Sequence, residues 1–110
     1  MNNIERFKII DKLNYFDILI LKAIINTSVK GYSTSKEVVK NMKITLESIG
    51  INRSYSRVYF HKRLDFLNSI QLIKIDRSTS KLIMLNPVKK NAIINFLSWY
   101  QEIITGDIDE

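Results

Sequence analysis

Between Arg53 and Arg63 the chain sets four cations, Arg53, Arg57, Lys62 and Arg63, among the hydroxyls of Ser54, Ser56 and Tyr59 and beside its only histidine, His61. Guanidinium and ammonium groups neutralise phosphates or donate to guanine edges, and hydroxyls offer neutral donors to the same acceptors. The chemistry of this set is recognition of a polyanion. Bond making has no comparable signature: one histidine without cysteine gives no metal-ligating cluster, and no Ser-His or paired-carboxylate spacing accompanies it. No catalytic residue, metal, cofactor or small-molecule substrate is therefore expected. A second basic set, Arg77 and Lys81 around Ser78 to Ser80, suits backbone contact from a short loop, although a plain hairpin turn reads equally well from these residues. Lys36, Lys40 and Lys43 either support such contacts or simply solubilise a helix face.

The charge distribution favours the same partner. All 17 Lys and Arg lie between Arg6 and Lys90, while Glu102, Asp107, Asp109 and Glu110 close the chain. Residues 1–101 thus hold 17 cations against seven acids, a net +10, where the whole chain shows only +6. A basic body with an acidic tail points to nucleic acid, with double-stranded DNA as the expected partner. The 110 residues suffice for one core, and a hydrophobic share of 45% with one Pro and three Gly excludes a disordered or collagen-like chain. Zero cysteines exclude disulfides and thiolate chemistry and favour a reducing, cytoplasmic setting. Lys22 interrupts the apolar run from Ile18 to Ile25, so no membrane span is expected, and the N-terminus lacks the basic-then-apolar order of a secretory signal.

The elements that must position these residues follow from spacing. Ile4, Phe7 and Ile9 or Ile10 fit a short leading helix over 4–12, or Asn14 begins the next one. Phe16, Leu19, Ile20, Ala23 and Ile24 recur as a core-facing helix over 15–25. Thr34 and Glu37 form a capping box, opening a helix whose apolar positions Val38, Val39, Met42, Leu46 and Ile49 lead to a stop at Gly50. Ser54 is the expected cap of a third helix over 54–69, with Phe60, Leu64 and Leu67 inward. The runs Leu72 to Ile75 and Leu82 to Leu85 then read as a hairpin around Asp76 to Ser80, and from Val88 the spacing returns to helical.

Stepping about 100° per residue from the inward positions puts Tyr55, Val58, Lys62 and Ser69 on the outer face of the third helix, flanked by Ser54, His61 and Asp65. Arg57 falls near the core edge. The outward apolar and aromatic residues Tyr55, Val58, Tyr59 and Phe66 are unusual for a solvated face: either they pack on the N-terminal helix or a second subunit, or the tyrosines touch phosphates and thymine methyls.

Three helices, a hairpin and a closing helix resemble a winged helix-turn-helix, and the stretch from Phe60 to Ile73 looks like the recognition-helix-into-wing pattern of winged-helix regulators. The glycine usual before the final Leu-Ile pair is replaced by Gln71, so Asn68 or Ser69 becomes the candidate for the turn conformation. The long helix from Thr34 to Gly50, longer than in many bacterial MarR-type regulators, followed by Ile51, Arg53, Arg57 and Leu64-Asp65-Phe66-Leu67 before Leu72-Ile73, is similar to the winged-helix domain of archaeal origin-recognition initiators. That likeness spans about residues 14–86. The chain carries no phosphate-binding glycine loop, so an initiator's ATP-driven role does not transfer.

The expected fold is mostly α with a small β-hairpin: an N-terminal extension or short helix over 1–13, a winged-helix domain over 14–86, a C-terminal helix over 87–105 and an acidic tail over 106–110. In such folds the recognition helix enters the major groove while the wing meets phosphates. The resemblance implies DNA contacts from Arg53, Ser54, Tyr55, Ser56, Arg57, Val58, His61, Lys62, Arg63, Arg77 and Lys81. Ile93, Phe96, Leu97, Trp99, Tyr100, Ile103 and Ile104 give the last helix more apolar surface than capping one domain requires, which implies a homodimer. The expected role is a small sequence-specific transcription regulator; the alternatives are a protein-docking module and a replication or plasmid-maintenance factor.

Overall fold

The computed structural model describes residues 13–52, 55–77 and 81–106, the side chains of 101–106 excepted. The expectations for residues 4–12, for Arg53 and Ser54, for the loop tip 78–80 and for the acidic tail 107–110 lie outside the described residues.

Helix α1 spans Tyr15–Thr27 and starts at a capping box absent from the sequence reading. Asn14 Oδ1 accepts the Asp17 amide at 2.9 Å, and Asp17 Oδ2 accepts the Asn14 amide at 3.0 Å. Phe16, Ile18, Leu19, Ile20, Leu21, Ala23 and Ile24 are all buried, more than one stripe can hold, because α1 has neighbours on several sides. It is the central rod of the core. Its C-terminal end is tied off by hydroxyls: Thr27 donates to the Ala23 carbonyl at 2.7 Å, Ser28 donates to the Ile24 carbonyl, and both side chains meet the buried Ser33 hydroxyl. These bonds anchor a two-residue strand, β1 (Ser33–Thr34), in a stretch whose composition predicts a loop.

Helix α2 (Ser35–Ser48) follows directly, and the expected cap is present: Thr34 Oγ1 accepts the Glu37 amide at 3.2 Å and Glu37 Oε1 accepts the Thr34 amide at 3.0 Å. These bonds hold the Glu37 carboxyl below its ordinary range. Val38, Met42 and Leu46 are buried, whereas Val39 and Ile49 are exposed. The i, i+4 row is narrower than the five-residue face expected, and Ile49 has already left the helix as its C-cap. Gly50, at φ +82°, takes the left-handed turn that ends it.

Helix α3 (Arg57–Ser69) begins later than expected. Its cap is Ser56, whose hydroxyl accepts the Tyr59 amide at 3.2 Å; the run Ser54-Tyr55-Ser56 offers two candidate caps two residues apart, and composition does not choose between them. Strands β2 (Ile73–Asp76) and β3 (Leu82–Leu85) form the expected hairpin, with Ile73 opposite Leu85 and Asp76 opposite Leu82. The sheet gains a third member, since β1 pairs antiparallel with the other edge of β3, giving the order β1-β3-β2. Helix α4 (Lys90–Gly106) closes the chain after a turn at Pro87 and brings Ile93 and Leu97 into the core. Four described helices and a small antiparallel sheet make a mostly α, winged-helix-like α+β fold.

The turn from α3 into β2 is made at Gln71 itself, at φ +65°, and not at Asn68 or Ser69. The Leu72 amide donates to the Leu67 carbonyl at 3.1 Å, and buried Asn86 donates from Nδ2 to the Gln71 carbonyl at 2.8 Å, so the strained residue is held from both sides. A side chain in this region costs about 1 kcal/mol that glycine does not incur. Gln71→Gly should raise stability by about 1 kcal/mol or slightly less, read as a higher urea midpoint at unchanged slope. A lower midpoint would mean that the turn carries no strain.

Candidate nucleic-acid interface

Helix α3 meets the rest of the chain along two flanks, and each consumes residues that sequence reading assigned to DNA. On the flank facing α1, Arg63 donates from Nε to Asp17 Oδ1 at 2.8 Å and from Nη2 to Asp17 Oδ2 at 2.5 Å. Asp17 is fully buried and Arg63 is 19% exposed. The guanidinium also lies 4.4 Å from the centre of the Phe66 ring. Hydrogen bonding to the carboxylate holds the Arg63 pKa above its ordinary value. Arg63, expected as a phosphate ligand, is thus committed to its own fold, because a carboxylate buried among apolar side chains demands a fixed cation.

Tyr55 and Tyr59 share this flank. Their rings pack on Phe16 with centroids 4.4 Å and 4.8 Å away, and the Tyr59 hydroxyl accepts from Asn14 Nδ2 at 3.1 Å. Of the alternatives for the outward aromatics, the two tyrosines thus take packing on the N-terminal helix.

The opposite flank faces the hairpin. His61 Nδ1 lies 2.7 Å from Lys81 Nζ, and Asp65 Oδ1 accepts from Arg77 Nη2 at 2.9 Å. A helix turn separates His61 from Asp65, so the two contacts bridge α3 to both arms of the wing. With Lys81 as an ammonium, which can only donate, His61 is the acceptor at Nδ1 and is then neutral with its proton on Nε2. Burial, then the charges of Lys81, Arg57 and Arg77, push its pKa below the ordinary value against the opposing pull of Asp65. Burial and then Arg77 lower that of Lys81. The Asp65–Arg77 pair is well exposed on both sides and holds the wing only weakly.

Between the flanks lies the face open to solvent. Val58, 77% exposed, and Lys62 stand on it as expected, with Ser56 at its leading end. Arg57 is exposed as well and not at the core edge, since the first turn of α3 projects beyond Phe60, the first residue it buries. Of the three described cations among those first singled out, Arg57 and Lys62 therefore remain on the open surface, with Arg77 and Lys81 on the wing. Lys36, Lys40 and Lys43 are exposed along α2. What sequence reading missed is Asp17, although its position between Phe16 and Ile18 was the signal: an acid inside an apolar run needs a partner.

The residues assigned to a dimer contact divide similarly. Ile93 and Leu97 are buried in the chain's own core, which corrects their assignment, and Phe96 and Tyr100 are partly packed against it. Trp99 is 51% exposed and borders a groove with Leu13, Tyr15, Ile18, Phe96 and Tyr100. The side chains of Ile103 and Ile104 lie outside the described residues. Among the described residues no helix is long and apolar enough to cross a membrane.

The two kinds of arginine on α3 should separate in a stability measurement. Arg63→Ala leaves the Asp17 carboxylate buried without its cation and should cost about 3 kcal/mol, whereas exposed Arg57→Ala should stay within about 0.5 kcal/mol of the parent. Equal effects in parallel urea titrations would remove the distinction.

No family model matches the chain, and no curated protein does. Among solved structures it is similar to the crystal structure of Cdc6p from Pyrobaculum aerophilum, with a TM-score of 0.65 and 21% identity over 86% of this chain. The match covers 26% of that chain, so this protein corresponds to about a quarter of its length, and at this identity the likeness is one of fold.

Proposed function

We propose that this chain is a duplex-DNA-binding module that lays the outer face of α3 in the major groove and touches backbone with the wing, acting as a small sequence-specific regulator. The observation that carries the reading is the open strip of Arg57, Val58 and Lys62, bordered by Arg77 and Lys81, on a helix whose other sides are spent on packing. Cations at the ends of such a strip neutralise phosphates, while Val58 offers an apolar contact of the kind that reads a thymine methyl. A basic body of net +10 supplies the long-range attraction.

A replication or plasmid-maintenance role is the second reading, favoured by the likeness to Cdc6p and by the initiator-like order of residues in the sequence. The protein-docking alternative draws less support, because Tyr55 and Tyr59 pack on Phe16 and Phe66 lies against Arg63, although Tyr59 keeps an exposed edge. Within the DNA-binding reading, a homodimer would use exposed Trp99 and the groove beside it, which suits a palindromic site.

Duplex affinity should fall with salt at a log–log slope of about −0.9 per phosphate contacted. The double variant Arg57→Ala with Lys62→Ala should weaken binding at least tenfold, about 1.4 kcal/mol, and flatten that slope. Unchanged affinity at fixed salt would place the interface elsewhere. Selection from a random duplex pool separates a sequence reader from a non-specific binder. In sedimentation, the parent should run as a dimer and Trp99→Glu as a monomer; a monomeric parent would end the dimer reading.

A further inference from the structure

The seam between α3 and the wing gathers more positive charge than the fold uses. Around His61 stand Arg57 and Asp65 from its own helix and Arg77 and Lys81 from the two arms of the hairpin, while the Phe60 ring meets the imidazole edge-on at 5.3 Å. Among the described residues, Arg57, Arg77 and Lys81 face Asp65 here, and that carboxylate is already engaged with Arg77. In the structure the shortage is managed by keeping His61 neutral and letting it accept from Lys81 at 2.7 Å. The contact lasts only while Nδ1 carries no proton. Once Nδ1 is protonated, both groups are donors and their hydrogen bond is lost.

We propose that His61, Lys81, Arg57 and Arg77 form one phosphate-binding site at the helix–wing seam, and that a phosphate enters it together with a proton. The inference rests on the DNA-binding reading for its natural ligand, a backbone phosphate, but the site's chemistry is that of any phosphate group. An anion seated at the seam supplies the missing acceptor. Lys81 turns its ammonium from the imidazole to a phosphate oxygen, a proton from water joins His61 at Nδ1, and the new N–H donates to the same anion. Asp65 competes with the phosphate for Arg77 and is the group the anion displaces. By linkage, a ligand that favours protonated His61 must bind more tightly where His61 is protonated. The free site resists that proton because burial and then its cations disfavour it, and a bound anion offsets the cations. Affinity therefore rises as pH falls through the His61 titration, by up to tenfold for each unit by which the ligand raises the midpoint.

A single histidine makes the test direct. The His61 ring resonances are titrated by NMR from about pH 8 to about pH 5 in the full chain, alone, with inorganic pyrophosphate, and with a short mixed-sequence duplex, at matched ionic strength. The midpoint should rise by about one unit with either ligand, and the rise should vanish in Lys81→Ala. In parallel, the parent should bind duplex about tenfold more tightly at the acid end of the range, and His61→Asn, which keeps an acceptor for Lys81 but cannot titrate, should lose that dependence. A midpoint unmoved by both ligands, or a rise that survives in Lys81→Ala, overturns the site. A rise with pyrophosphate alone supports the site while counting against the DNA-binding reading. Duplex binding that is tight but equally pH-dependent in the parent and in His61→Asn leaves the DNA-binding reading standing and removes this one.

Discussion

A carboxylate in the middle of an apolar core fixes the orientation of everything that matters on the surface. Asp17 is fully buried at the start of α1, and the cost of desolvating it is met by the fork of Arg63 together with the Asn14 amide. An apolar contact between two helices tolerates some rolling, because one methyl row packs nearly as well as the next. A bidentate ion pair does not, since both bonds require one plane and one distance. With Arg63 locked to α1, the rotation of α3 is set: Phe60, Leu64 and Leu67 point inward, His61 and Asp65 meet the hairpin, and Val58 and Lys62 are left facing solvent.

This arrangement changes how the charge of the chain is to be counted. The sequence places its densest basic cluster around α3, but one member is structural, and a wing lysine is shared with a histidine. The surface positive charge is thus less dense on the open face than composition suggests and more concentrated at the seam with the wing. Under the DNA-binding proposal, attraction from the whole body would bring a polyanion near, and the few cations left without a structural duty would decide where it docks.

Legibility followed the range of the interaction responsible. The capping box of Thr34 and Glu37, the stop at Gly50, the inward row of α3 and the hairpin are local, and each appears in the sequence as residue types a few positions apart. The fate of Arg63 depends on an acid 46 residues away, and no spacing rule reaches that far. Strand β1 is two residues long and exists because β3 passes beside it and Ser33 fastens it to the end of α1, so it has no pattern of its own. Gln71 shows a third kind of miss: the family resemblance located the turn correctly, and the expectation moved off the position only because the residue there is not glycine. Tertiary bonds from Asn86 hold the conformation that intrinsic preference would avoid. Helical spacing marks Ile93 and Leu97 as apolar but does not say which surface they cover, and here it is the chain's own core.

Thr34 belongs to two elements at once. Its backbone is paired with Leu82 at the start of β3, immediately after the wing loop, and its side chain closes the first turn of α2. The wing and the second helix are therefore hinged on the same residue. One residue thus fixes where the hairpin and the start of α2 sit relative to each other, so the two elements on either side of α3 share a single joint.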